Sequence, residues 1–123
     1  MCDFAKVQTA DPLPYILEVR DLVSNTANEQ ITPGGVIQLL GGRLKLAAAN
    51  PDNGIFLMGE QAGAVKLPVV VENKPSRLIA MIPADLPEGT YLIEVRTTMT
   101  VSGKEVKTLK TGRFNRELVT VHD

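Results

Sequence analysis

The sequence predicts an all-β protein, an antiparallel β-sandwich of about seven strands. Short runs rich in Val, Ile and Leu are separated by Pro-, Gly- and Asn-containing turns at a spacing of roughly 8 to 15 residues, the rhythm of a sandwich. No segment keeps the 3.6-residue period of a long helix. The chain has 123 residues, 44% of them hydrophobic, which suits one domain with its own core. With three Phe, two Tyr and no Trp, that core has to be aliphatic.

Residues 1–14 lack periodicity and place two prolines around Leu13, so they read as a linker or loose leader, and the domain proper spans 15–123. Residues 15–23 form the first β-rich run, with Ile16, Leu17, Val19, Leu22 and Val23. Polar residues 24–30 lead into Thr32-Pro33-Gly34-Gly35, a strong turn, and residues 36–40 are the next strand, broken by Gly41-Gly42. Residues 43–49 fit a short strand or a helical turn equally well. Asn50-Pro51-Asp52-Asn53-Gly54 is a turn in which Pro fixes φ, Asn and Asp bond their own backbone, and Gly accepts positive φ.

Residues 55–58 follow as a short buried strand, and 59–63 as a loop. Residues 65–71 are β-branched but interrupted by Pro68, which marks an edge strand or a bulge. Asn73-Lys74-Pro75-Ser76 turns the chain into a strand at 78–82. Residues 90–101 should be the longest strand, with Tyr91, Ile93 and Val95 on one face and Glu94 and Arg96 on the other. A hairpin turn at Gly103-Lys104 sends residues 106–121 back as the last strand or strands.

Thirteen basic against 14 acidic residues give a net charge of −1, which argues against a surface built to neutralise phosphates or an anionic membrane. The densest basic stretch holds Lys104, Lys107, Lys110, Arg113 and Arg116 against only Glu105. It reads first as a solvated strand face and second as a weak face for an anionic partner. No run approaches the roughly 20 apolar residues of a membrane span. The single cysteine, Cys2, excludes an intramolecular disulfide, and the default compartment is a reducing cytoplasm.

No catalytic constellation is legible. The one histidine, His122, is penultimate and far in sequence from Cys2, and no Gly-x-Ser-x-Gly elbow exists. Gly34-Gly35 and Gly41-Gly42 lack the spacing of phosphate-binding loops, so no cofactor is implied. Asn50, Asp52 and Asn53 offer hard oxygen atoms in one loop, but one carboxylate is too little charge for a tight calcium site, and no metal is assigned. Glu60, Asp85 and Glu88 would add oxygen ligands only if the fold carried them there. Phe56, Tyr91, Tyr15 and Phe114 read as core residues rather than platforms for sugar rings.

The stretch Pro83-Ala84-Asp85-Leu86-Pro87-Glu88-Gly89-Thr90-Tyr91 is the most specific in the chain. Gly89 permits a sharp entry into the long strand, and Tyr91 can bury its ring while its hydroxyl bonds the crossing loop, in the manner of a tyrosine corner. It resembles the corresponding crossing of Ig-like folds of the IPT/TIG type, which share Thr32-Pro33-Gly34-Gly35 and a Gly-x-x-Leu such as Gly41 to Leu44. A closer resemblance runs from Asp11 to Val121. It combines Pro14-Tyr15-Ile16, Gly41-Gly42-Arg43-Leu44-Lys45, Gly54-Ile55-Phe56, Asn73-Lys74-Pro75-Ser76-Arg77-Leu78 and Leu118-Val119-Thr120-Val121. This succession is similar to the Ig-like domain of unknown function at the C-terminus of certain bacterial proteins whose N-terminal half is HU-like.

The resemblance implies an Ig-like sandwich, with residues 7–14 as an interdomain linker and DNA binding confined to an HU-like half that these residues do not contain. The expected role is a non-catalytic accessory module, mediating protein contacts or self-association in a nucleoid-type setting. The alternative is direct binding of polysaccharide or DNA by the sandwich loops, including 50–54 and 59–63, or by the 104–116 basic face.

Overall fold

The computed structural model describes residues 13–47, 49–60, 63–99 and 104–120, with the side chain of Lys107 outside the description. The strands are β1 (Tyr15–Asp21), β2 (Thr26–Ala27), β3 (Gln30–Ile31), β4 (Val36–Gly42), β5 (Gly54–Gly59), β6 (Gly63–Lys66), β7 (Val70–Lys74), β8 (Arg77–Met81), β9 (Thr90–Met99), β10 (Glu105–Arg113) and β11 (Leu118–Thr120). Seven of them, β1, β4, β5, β7, β8, β9 and β10, have five residues or more and form the expected frame. The other four are short: β2, β3 and β6 lie at sheet margins, and β11 bridges β3 to β9.

The first sheet has the order β2-β1-β4-β8-β7. The second runs β3-β11-β9-β5-β6, with β10 also paired to β9. Among the described strands every pairing is antiparallel except β11 with β3. Alternation along each strand sends one side chain set between the sheets. Val19, Ile37, Leu39, Leu78 and Ala80 come from the first sheet, and Ile55, Leu57, Ile93, Val95 and Leu118 from the second. Leu44, Leu67, Ile82, Leu86 and Phe114 close the ends from connecting segments. The core is thus almost wholly aliphatic, as the composition requires.

Four local expectations are corrected. Gly41 and Gly42 do not break β4 but belong to it, paired with Ile16 and Tyr15 across β1. A Cβ on Gly41 would collide with the Tyr15 carbonyl, and one on Gly42 with the Tyr15 ring, so the glycines mark a close approach beside the bulge at Ile16/Glu18. The described part of 43–49 is neither strand nor helix; it begins with Arg43 at φ 57° and buries Leu44 and Leu46. The run 65–71 is two strands rather than one. β6 ends at Lys66 in the second sheet, β7 begins at Val70 in the first, and Pro68 lies in the crossing between them. Finally, Tyr91 and Phe114 are buried, but Tyr15 is exposed and Phe56 is half-buried on an outer face.

The crossing into β9 matches its reading. Tyr91 is 2% exposed and its hydroxyl donates to the Pro87 carbonyl at 2.7 Å. Burial pushes its phenol pKa upward. Gly89 sits at φ 152°, where a side chain would be strained. The 32–35 turn is held from outside: the Thr32 hydroxyl donates to Asp21 Oδ2 at 2.6 Å, beside Ser24 Oγ at 2.8 Å. These neutral donors, together with the Val23 amide, let Asp21 sit fully buried at the end of β1.

Candidate functional site

Among the described residues, the cations of the 104–116 stretch do not share one face. Lys104 is exposed just before β10, but Lys110 is only 5% exposed, on the inward side opposite Thr97. A register shift between Glu105 and Lys110 helps put it there, out of step with simple alternation from the hairpin. The Lys107 side chain lies outside the described residues. Arg113 points to the outer face and is committed to Glu94, while Arg116 is exposed beyond the end of β10. The spacing of cations along the sequence misleads because β10 is irregular.

Its outer face instead carries a compact polar cluster. Glu94, at 3% exposure, lies in the middle of β9 opposite Phe56 on β5 and Arg113 on β10. Arg113 Nη2 donates to Glu94 Oε1 at 2.6 Å, and Arg96 Nε donates to the other carboxylate oxygen. The Arg96 guanidinium lies 4.1 Å from the Phe56 ring centroid, in cation–π range. Burial works against the charge on Glu94. The hydrogen bonds and positive charges of Arg113 and Arg96 outweigh it and hold the carboxyl below its usual pKa. The sequence places Glu94 and Arg96 on one face; only the fold brings Phe56 and Arg113 to them.

The 50–54 loop is occupied by its own structure. Asn53 Oδ1 accepts from the Ala47 amide at 2.8 Å and the Thr98 amide at 3.0 Å, and its Nδ2 donates to Thr98 Oγ1. Asn50 Oδ1 accepts from the Asp52 amide, while its Nδ2 donates to Glu105 Oε2 at 2.7 Å. Asn50 and the Thr98 hydroxyl together hold the Glu105 carboxyl below its usual pKa. The amide oxygens weighed as cation ligands are therefore spent on N–H donors. Asn73 completes the arrangement by bonding both the N–H and the C=O of Leu46. No sequence signal marks Asn53 or Asn73 as anchors for 44–47, because their partners are backbone groups brought near by the fold.

Among the described residues, two open clefts stand out. One, of about 290 Å³, lies at the Tyr91 end of the sandwich and is rimmed by Glu60, Glu88 and Glu117. Asp85 is exposed in the crossing before β9 and does not line it. The other, of about 300 Å³, opens between the margins β6 and β7, over Leu46, Leu67 and Val70. Among the described residues no group of three or more His, Cys, Asp or Glu is placed to hold a metal ion. Cys2 and His122 lie outside the description. No helix of the described residues is long and apolar enough to cross a membrane.

No curated protein matches the chain. A solved structure, that of a presumptive bacterial DNA-binding protein from Bacteroides vulgatus ATCC 8482, is 28% identical over 87% of this chain, with a TM-score of 0.77. The present chain spans 47% of that protein, about half its length. The structure of CopC from Methylosinus trichosporium OB3b is 14% identical with a TM-score of 0.46, covering 89% of this chain and 97% of that one, too distant to bear on function. The family model of a domain of unknown function with an Ig-like fold, DUF4469, matches residues 15–112. With the two-sheet architecture and that match over most of its length, the chain belongs to the DUF4469 family of Ig-like domains.

Proposed function

We propose that this domain is a non-catalytic accessory module of a bacterial DNA-binding protein, making protein contacts or driving assembly while another part of the protein holds the DNA. The observation that carries this reading is the likeness to the Bacteroides protein, of which this chain spans only 47%. That leaves room for a separate DNA-binding part, which the sequence resemblance makes HU-like. Charge supports the division of labour: the chain carries −1 overall, and of the basic stretch Lys110 is buried and Arg113 is spent on Glu94. A duplex-binding surface needs several cations free to displace counterions. The setting is then the bacterial cytoplasm, at the nucleoid.

The test is a titration of fluorescently labelled duplex DNA with this chain at low salt, followed by anisotropy, beside the same domain joined to an HU-like half. Binding by the joined protein alone supports the accessory role. Saturable, steeply salt-dependent binding by this chain overturns it in favour of direct DNA recognition, with Lys104, Arg113 and Arg116 as the residues to neutralise.

A further inference from the structure

Between β6 and β7 the described residues leave two strand margins and a cleft of mixed polar and apolar lining side by side. β6 pairs only with β5 and β7 only with β8, so each has a second edge without a described strand partner. Between them lies a cleft of about 300 Å³, floored by Leu46, Leu67 and Val70. That volume is at the lower bound of ligand pockets, roughly 300 Å³, and suits one apolar side chain better than an extended organic ligand. Val71 within β7, 63% exposed, and Val69 just before it, 46% exposed, add apolar surface beside the cleft.

The rim supplies the second observation, its charge. Lys66 lines the mouth, where its ammonium donates to the Pro51 carbonyl at 2.6 Å after its stem crosses Gly54. An ammonium has three donors, so that bond fixes the cation and leaves donors for a carboxylate. Lys45 and Lys74 are exposed and flank the lining residues Leu46 and Asn73 in sequence. Against these three cations stand Asp52, exposed beside Pro51, Glu72, which is paired with Arg77, and Glu105, which is held by Asn50 and Thr98.

We propose that the β7 edge takes an extended acidic peptide segment as an added strand, with one apolar side chain seated in the cleft, carboxylates on Lys74, and the Lys66 cation at the mouth favouring the negative charge of the segment. The inference rests on the reading of this domain as a protein-contact module and names the chemistry of its partner. Strand addition supplies backbone hydrogen bonds, and the cleft selects an apolar residue at one alternate position. Lys74, facing the other way from its lining neighbour Asn73, selects acids at the neighbouring ones, while Lys66 at the mouth adds a general pull on negative charge. A period of two along the ligand follows from the pleat.

The probe is a labelled peptide, Glu-Val-Glu-Leu-Glu-Val-Glu, titrated into the isotopically labelled chain with amide shifts read residue by residue. Saturable shifts centred on residues 70–74 and Leu46 are expected. Replacing the central Leu by Gly, or reversing charge in a Lys66→Glu/Lys74→Glu double variant, should weaken binding about tenfold or more. Both lysines are exposed, so the variant's unchanged amide spectrum away from the cleft verifies its fold. Shifts confined to β10 or to the outer faces, equal binding of a Lys-for-Glu peptide, or no saturation at millimolar concentration each overturn the proposal. None of those results touches the DNA titration, which judges the accessory role by itself.

Discussion

On the outer face of the first sheet, Val36, Leu40, Ile79 and Met81 make an aliphatic stretch across β4 and β8, with Gln38 among them and the Arg77–Glu72 pair at the margin. The outer face of the second sheet is organised differently: Glu94 occupies its middle, roofed by Arg96 and Arg113, with Phe56 beneath Arg96. In the first case the ions are partly solvated and their loss is cheap. In the second the carboxylate is as buried as a core residue, although it points away from the core. A charge in that position is tolerable only while its partners stay in register. Arg96 and Arg113 are therefore structural counter-ions before they are surface cations.

The sharpest way to break that contrast is to remove both roofs. An Arg96→Ala/Arg113→Ala variant should lose about 3–5 kcal/mol at neutral pH, more than the sum of the single changes, as read by urea denaturation. Phe56→Ala removes the ring beneath Arg96 and should cost about 2 kcal/mol in the same assay. Glu94→Gln should cost about 1.5 kcal/mol at pH 7 and flatten the acid limb of stability. The folded carboxyl lies below its unfolded pKa of about 4.3, so its contribution is complete above that value and disappears as pH falls through the folded pKa. Wild type should therefore lose stability below about pH 4 more steeply than the variant. On the first sheet, Glu72→Gln should change stability by less than about 1 kcal/mol, because both partners are partly solvated. An equal cost for Glu72→Gln and Glu94→Gln would erase the distinction between the faces.

What is legible in the sequence follows the range of the forces involved. Alternation at Tyr91, Ile93 and Val95, and the Gly89-Thr90-Tyr91 entry, are local signals, and residue order alone is enough to place β9 and its tethered hydroxyl. Gly41-Gly42 reads as a break because composition cannot distinguish a glycine that ends a strand from one admitted by a neighbouring chain. Lys110 reads as a surface cation because a register shift inverts the inside and outside of a strand and leaves no mark in charge spacing. The anchoring roles of Asn53 and Asn73 span 45 and 27 residues to Thr98 and Leu46. Such pairings exist only once the sheets have met. The cleft between β6 and β7 is hidden for a related reason: Pro68 looks like an interruption within one strand, when it separates strands of two sheets.

That short crossing has a consequence for how the molecule comes apart. The Leu67 amide donates to the Ile55 carbonyl in the second sheet, and the Val69 carbonyl accepts from the Met81 amide in the first. One residue, Pro68, thus separates two backbone bonds belonging to opposite layers. Peeling either layer strains the other within a single chain link, so local opening has little slack here. Amide exchange at Leu67 and Met81 should therefore follow one common opening event, making the two sheets a single cooperative unit rather than two leaves that loosen in turn.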